Sequence, residues 1–246
     1  MKVCAVIPAA GRGSRLGGQT PKILLPLTSS ETVWTLLRRK LVTVADHIHL
    51  IVSPAGEQMI REQLERDIAS GFVSLSIQAE PIGMGDAIFC GYATWSQAQT
   101  ALVVWGDQVF VSKDTLANSL LIHAQTATTL TLPLTQISSP YVEYIFRGKN
   151  LHAVKQSREG DACSSLGLSD VGTFIFSVEG IRQEWNNYLT KMQQGALTGE
   201  INFLPFLPFL SASGWQIKQF RVADTIEARG INTPEDITFF KTNARV

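Results

Sequence analysis

Val3-Cys4-Ala5-Val6-Ile7-Pro8-Ala9-Ala10-Gly11-Arg12-Gly13-Ser14-Arg15-Leu16-Gly17 sets a short apolar run directly against a glycine-rich loop. An apolar run of this length that ends in glycine is the pattern of a strand buried on both faces. The small residues of the loop let backbone N–H groups approach a phosphate, and successive amides in such a turn form an anion nest. Arg15 adds a fixed charge suited to phosphate oxygens. Lys22, just after Pro21, can serve the same phosphates as a point charge. By itself the segment reads as a tight turn with solvated cations. It is not a Walker A loop, because no Gly-Lys-Ser/Thr follows at the required spacing. It is not the dinucleotide fingerprint either, since Leu16 stands where a third glycine is needed.

Outward from this strand, helix and strand signals alternate. Val33, Trp34, Leu37 and Leu41 share one helical face. Residues 48–52 read as the next strand, and Ser53-Pro54 as the cap and first turn of a helix running to about Ala69. Strands are expected at 72–78 and 101–105, with a helix at 86–95 between them. The second half shows strands at 128–134, 143–147, 151–155, 172–178 and 215–222. A helix is expected from about Gly180 to Met192, and another opening at Thr233-Pro234-Glu235-Asp236. The alternation predicts an α/β fold of three αβα layers: a Rossmann-like, mixed but mostly parallel sheet with helices on both faces. Nothing marks a linker or a repeat, so residues 1–246 are expected to form a single domain. In such sheets ligands bind beyond the carboxyl ends of the strands.

Composition narrows the class of function. Of 246 residues 45% are hydrophobic, enough for a large core. Lysine plus arginine equals aspartate plus glutamate at 21 each, which argues against nucleic acid as a partner. No stretch reaches the length of a membrane span, because Pro205, Pro208 and Ser211 break up the most apolar late segment. Cys4, Cys90 and Cys163 form no metal-binding pair and read as buried free thiols of a cytoplasmic protein. The four histidines lie on different elements and read as structural or solvated. The Phe-rich segment 202–210 reads as core, as a lid or as a subunit interface, which leaves a homo-oligomer open.

The run from Ala9 to Lys22, A-A-G-x-G-S-R-L-(x)4-P-K, resembles without a gap the signature of the nucleotidyltransferases that activate sugar phosphates. Three further segments extend the resemblance. Gln78-Ala79-Glu80-Pro81-Ile82-Gly83-Met84-Gly85-Asp86-Ala87 is similar to the segment that contacts the nucleobase in that family. Val103-Val104-Trp105-Gly106-Asp107 is similar to its strand ending in Gly-Asp, although Gln108-Val109-Phe110 follows here in place of the usual proline turn. Arg229-Gly230-Ile231-Asn232 is similar to its closing segment. Within the family, the motifs most resemble the uridylyltransferase domain of the bifunctional N-acetylglucosamine-1-phosphate enzymes.

The resemblance implies a nucleotide-diphospho-sugar transferase fold. It implies a nucleotide site made by Ala9, Ala10, Gly11, Gly13, Ser14, Arg15, Lys22, Gln78, Gly83 and Met84. It implies catalytic roles for Arg15, Lys22 and Asp107, and Mg2+ as cofactor, held by Asp107 and Asn232. Aspartate and amide oxygens are suitable hard ligands for that ion. Trp105, Gly106, Asp170 and Gly172 fall at positions that face the acceptor, with Asp170 where the family carries asparagine. Lys155 falls near the acceptor-binding element. Under one alignment it meets the acceptor phosphate; under another it replaces a glutamate that binds the sugar.

The expected reaction transfers a nucleoside monophosphate from UTP or another pyrimidine triphosphate to a sugar 1-phosphate, releasing pyrophosphate. A cytidylyltransferase for a polyol or isoprenoid-precursor phosphate, a molybdopterin guanylyltransferase and a non-catalytic nucleotide sensor on the same fold are the alternatives. The cytidylyltransferases carry D-A-A-R-P where this chain has Gly106-Asp107-Gln108-Val109.

Overall fold

In the computed structural model, residues 2–11, 20–125 and 129–243 are described below. The first half runs β1 (Val3–Ala9), α1 (Val33–Leu41), β2 (His47–Val52), α2 (Pro54–Gln63), α3 (Glu65–Ala69), β3 (Val73–Ile77), α4 (Met84–Cys90), α5 (Tyr92–Trp95) and β4 (Thr100–Val104). The second half runs α6 (Lys113–His123), β5 (Thr129–Ser138), β6 (Val142–Arg147), β7 (Asn150–Gln156), β8 (Leu166–Asp170), β9 (Thr173–Ser177), α7 (Ile181–Leu189), α8 (Phe206–Ala212), β10 (Gln216–Arg221) and α9 (Pro234–Asn243).

One eight-stranded sheet organises these elements in the order β10-β5-β9-β4-β1-β2-β3, with β8 paired to β5. β1 pairs in parallel with β2 and β4, β2 with β3, and β5 with β10. β9 runs antiparallel between β4 and β5, which makes the sheet mixed. β6 and β7 form a separate antiparallel hairpin.

The strands are buried on both faces because their side chains alternate between two apolar clusters. Cys4, Val6, Ala101 and Val103 enter one cluster with Phe174, Phe203 and Phe206. Ala5, Ile7, Leu102 and Val104 enter the other with Val33, Trp34 and Leu37 of α1. The expected three-layer α/β architecture is therefore present.

Local chemistry explains most element boundaries. Thr32 caps α1 through a reciprocal capping box with Thr35, and Ser53 caps α2 at Gly56 with Pro54 in the first turn. The helix expected to reach Ala69 breaks at Leu64, and the one expected over 86–95 breaks at Gly91. The short second piece α5 buries Trp95, whereas α3 buries no residue and leaves Ile68 half-buried against the core. The Phe-rich run becomes part of the core, since Phe203, Phe206, Leu207 and Leu210 are buried. All three cysteines are free, but only Cys4 is buried; Cys90 is exposed, contrary to expectation. Among the described residues no helix is long and apolar enough to cross a membrane.

Candidate active site

A cleft of about 790 Å3 opens beyond the carboxyl ends of β1 and β4. Parallel pairing puts those ends side by side, so the loops they feed meet over one space. Pro8, Ala9, Ala10 and Gly11 line it from β1. Trp105, Gly106 and Asp107 line it from β4. Lys22 reaches it from a short 3-10 turn, Lys22–Leu24, which the buried Ile23 and Leu24 pin to the core. Gly13, Ser14 and Arg15 lie outside the described residues.

Lys22, Asp107 and Asn232 converge at the floor. The Lys22 ammonium donates to Asp107 Oδ2 at 3.1 Å and to Asn232 Oδ1 at 2.8 Å. Lys22 keeps 25% of its side chain exposed and Asp107 17%, so the pair still faces solvent. Behind the pair the backbone leaves no slack. A Cβ on Gly230 would lie 3.0 Å from the Asp107 carboxylate and 3.1 Å from the Asn232 amide nitrogen. Asn232 is fixed in turn by Asp236, whose Oδ2 accepts from its amide at 2.8 Å and from that of Thr233 at 2.9 Å. Arg229 binds the other oxygen of Asp236 and stacks its guanidinium 3.9 Å from the Phe239 ring centroid. Burial raises the Asp236 carboxyl's pKa, but the hydrogen bonds from Asn232, Arg229 and Thr233 outweigh it, and the group stays below its ordinary range.

The side wall comes from the turn between β3 and α4, where Gln78, Gly83 and Met84 line the cleft. Gln78 is buried, and its amide nitrogen donates to Gly83 O at 3.0 Å and Asp86 Oδ2 at 2.8 Å. Both donors of the side chain are thus spent on the turn, leaving its carbonyl oxygen to meet a ligand. Gly83 takes φ of 138°, and an added Cβ would lie 2.5 Å from the backbone of Ile201. Only glycine fits there. A smaller recess of about 450 Å3 shares Ala9, Ala10, Gly11 and Gln78 with the cleft and extends to Ser53–Gly56.

The opposite wall is made by residues that sequence reading missed: Tyr141, Arg158, Thr198 and Glu200. Arg158 donates to Glu200 Oε2 at 2.5 Å and to Asn202 Oδ1. Glu159 clips the 197–202 segment in place, accepting from Leu197 N, Thr198 N, Thr198 Oγ1 and Asn202 Nδ2. Burial raises the Glu159 pKa, yet these donors, led by Thr198 and Asn202, bring it down to about 2. The same segment is stitched to the β3–α4 turn, with Ile201 N donating to Ile82 O at 2.7 Å and Gly85 N to Ile201 O at 2.9 Å.

Three expected acceptor residues are placed elsewhere. Lys155 is on β7 with its ammonium on Ala162 O at 2.9 Å and 3.9 Å from Glu143, not on the cleft wall. Asp170 is buried with both oxygens committed, accepting from Gly172 N at 2.7 Å and Tyr144 Oη at 3.1 Å. Burial pushes its carboxyl up. Gly172 receives Trp105 N on its carbonyl at 2.8 Å and supports the cleft from behind. The physical reason is their place in the chain: Asp170 ends β8 and Gly172 sits in the turn to β9, so they shape the turn that receives Trp105.

Among the described residues no cluster of three or more His, Cys, Asp or Glu side chains could hold a metal. The donor set at the floor is smaller: one carboxylate oxygen and one amide oxygen. The Lys22 ammonium, a cation already seated between them, is a stand-in that shows the pair accepts positive charge. Hard oxygens of this kind fit Mg2+ when phosphates and water complete its shell.

A profile of the MobA-like NTP transferase domain matches residues 5–162. The chain belongs to that family. The match ends beside Glu159, so it takes in the β1 loop, Lys22, Gln78 and Asp107 but not Glu200 or Asn232. Beyond the family profile, the chain is 24% identical over 230 residues to the bifunctional protein GlmU of Ruthia magnifica subsp. Calyptogena magnifica, covering 93% of this chain and 48% of that protein. It is 25% identical over 233 residues to GlmU of Kineococcus radiotolerans, covering 92% and 46%. The chain therefore spans about half the length of the curated relatives it matches. A solved structure from Bacillus anthracis, described as a glucose-1-phosphate thymidylyltransferase, superposes with a TM-score of 0.75 at 14% identity over 99% of this chain and 97% of that one. At that identity the likeness is one of fold.

Proposed function

We propose that this member of the MobA-like NTP transferase family transfers a nucleoside monophosphate from a pyrimidine nucleoside triphosphate, UTP first, to a sugar 1-phosphate. The observation that carries the reading is the convergence of Lys22, Asp107 and Asn232 at the floor of a cleft walled by Pro8–Gly11 and the Gln78–Gly83 turn. A phosphate oxygen of the acceptor attacks the α-phosphorus in line. The new P–O bond forms as the bond to pyrophosphate breaks. The acceptor phosphate is already ionised, so no side-chain base is required.

Both reactants are anions, and the work of the site is to align them and offset their repulsion. Lys22 carries positive charge that does this, and Arg15 is proposed to add its own to the phosphates. Mg2+, held by Asp107 and Asn232, would add charge neutralisation at the phosphates when bound. Gln78 offers its carbonyl oxygen, and the turn at Gly83 its backbone, to the base. The smaller recess beside Ser53–Gly56 has room for the nucleoside end.

The acceptor is read from the wall of Tyr141, Arg158, Thr198 and Glu200, with Trp105 above the floor. Lys155 and Asp170 are not among the residues that line it. The description of the solved neighbour as a glucose-1-phosphate thymidylyltransferase favours a sugar 1-phosphate over a polyol phosphate.

The test is a pyrophosphate-release screen that crosses UTP, CTP, dTTP, ATP and GTP with hexose 1-phosphates, N-acetylhexosamine 1-phosphates and polyol phosphates, with Mg2+. Turnover with a pyrimidine nucleotide and a sugar 1-phosphate supports the reading. Turnover confined to CTP and a polyol or isoprenoid-precursor phosphate would replace it. Tight nucleotide binding without pyrophosphate release for any acceptor would make the chain a sensor.

A further inference from the structure

The backbone on both sides of the seat between Asp107 and Asn232 is tied down, and the cation in it sits on a long side chain. Asp107 is held by Ile231 N and Val109 N, which both donate to its carbonyl at 3.0 Å. Asn232 is held by Asp236 at 2.8 Å. Gly230 leaves room for no side chain behind them, since an added Cβ would lie 3.0 Å from the Asp107 carboxylate and 3.1 Å from the Asn232 amide nitrogen. Lys22 reaches them on a flexible four-carbon stem whose side chain is a quarter exposed. Among the described residues its hydrogen-bond partners are those two oxygens.

We infer that Lys22 is a gate on the cation seat: in the ligand-free protein its ammonium fills the place between Asp107 and Asn232, so a divalent metal enters only together with the nucleotide. The inference rests on the nucleotidyltransferase reading of this cleft. An ammonium and a divalent cation cannot share one carboxylate oxygen and one amide oxygen at hydrogen-bond distance, because their repulsion at a few ångström is large in a partly buried site. Metal alone must displace Lys22 and leave the ammonium without an anion. Metal arriving on a triphosphate brings the replacement partner with it, and the ammonium moves to a phosphate oxygen. Since the two acceptors are fixed from behind, the exchange moves Lys22 and leaves its ligands in place. Lys22 thus makes metal and nucleotide binding mutually dependent, in addition to any contact it makes during transfer.

The test uses Mn2+ as the probe. Free Mn2+ is read by electron paramagnetic resonance during titration of the full chain, wild type, K22M and D107N. Each is measured alone and with the α,β-methylene analogues of UTP and CTP, whose own binding is measured in parallel by calorimetry. Wild type alone should hold Mn2+ weakly, and either analogue that binds should tighten it. Nucleotide-free K22M should bind Mn2+ about tenfold more tightly than wild type, the loss of a partly exposed ion pair and of a neighbouring charge acting together. D107N should lose this binding. Should K22M not fold, K22Q keeps most of the length, drops the charge and gives the same comparison.

If K22M binds Mn2+ no better than wild type while the analogue still tightens wild type, the gate is wrong and the nucleotide reading stands. If wild type binds neither analogue, the nucleotide reading falls and the gate falls with it.

Discussion

Ile231 donates its backbone amide to the carbonyl of Asp107 at 3.0 Å, and so ties the loop after β4 to the segment that carries Asn232. Two residues far apart in the chain therefore present their oxygens as one unit. Asp107→Ala removes the charged half of that unit while leaving the backbone tie intact. Pyrophosphate release should fall by about a hundredfold or more, with the thermal unfolding midpoint nearly unchanged. A variant that folds and turns over at the wild-type rate would remove Asp107 from the chemistry.

Asp236 acts on the site through Asn232. It also forms a capping box, since Asp236 N donates to Thr233 Oγ1 at 3.3 Å and Thr233 N to Asp236 Oδ2 at 2.9 Å. Asp236→Ala should cost about 1 kcal/mol through the lost cap. Turnover should drop by about tenfold through the loosened Asn232, with more metal needed for half activation. Loss of stability with an unchanged metal requirement would mean that Asp236 only caps the helix.

Arg158 stands on the cleft wall proposed to meet the acceptor, paired with Glu200 and Asn202. Arg158→Ala leaves both partners without their donor. The KM for the acceptor should rise by about tenfold or more, on the scale of a lost charge-assisted hydrogen bond, while the KM for the nucleotide stays put. Steady-state kinetics with each substrate varied in turn separates the two. An equal rise in both would place Arg158 in a general support role.

Gly83 is the point where the Gln78–Gly83 turn touches the 197–202 segment. Gly83→Ala forces a Cβ into the Ile201 backbone at 2.5 Å and asks alanine for φ of 138°. Destabilisation of about 2 kcal/mol or more is expected from chemical denaturation. Nucleotide affinity should fall with it, because the Gln78 amide reads the Gly83 carbonyl. A variant as stable as wild type would show that the turn can relax.

Acid should weaken the fold before it reaches the carboxylates. Burial pushes the imidazoles of His49 and His123 from the ordinary 6.5 to about 4, with smaller contributions from His47 and Lys218 respectively. The unfolded chain therefore takes up these protons first as pH falls. The stability each neutral ring contributes is complete above pH 6.5 and is lost on the way down to about pH 4. Urea unfolding from pH 7.5 to 4.5 should show stability falling in that window. His123→Asn should flatten the slope by up to ~1.4 kcal/mol per pH unit, one proton's worth. An unchanged slope would mean that His123 takes up its proton alike in the folded and unfolded states.

The sequence makes one side of the cleft legible and hides the other. Lys22, Asp107 and Asn232 stand in short motifs whose residue types have few competing explanations. Parallel pairing of β1 and β4 then brings the first two together by topology alone. Tyr141, Arg158, Thr198 and Glu200 sit on irregular connections, and long-range contacts such as Glu159 to Thr198 position them. No local pattern encodes such a contact. Lys155 and Asp170 match the motif by offset, but their side chains find Ala162 and Tyr144 closer than the cleft. The helix α6 escaped notice because polar residues occupy its inner face: Thr115, Ser119 and His123 are buried beside Leu116. Thr115 is satisfied by Glu227 at 3.0 Å and Ser119 by Thr115 O at 2.7 Å, so the stripe that would announce the helix is not apolar.

The 197–202 segment is held at both ends of the cleft, by Ile82 and Gly85 on one side and by Glu159 on the other. A strap anchored this way cannot yield to one substrate without altering the surface offered to the second. The two affinities should accordingly be coupled, and coupling is reciprocal: whatever factor the nucleotide adds to acceptor binding, the acceptor must return to the nucleotide.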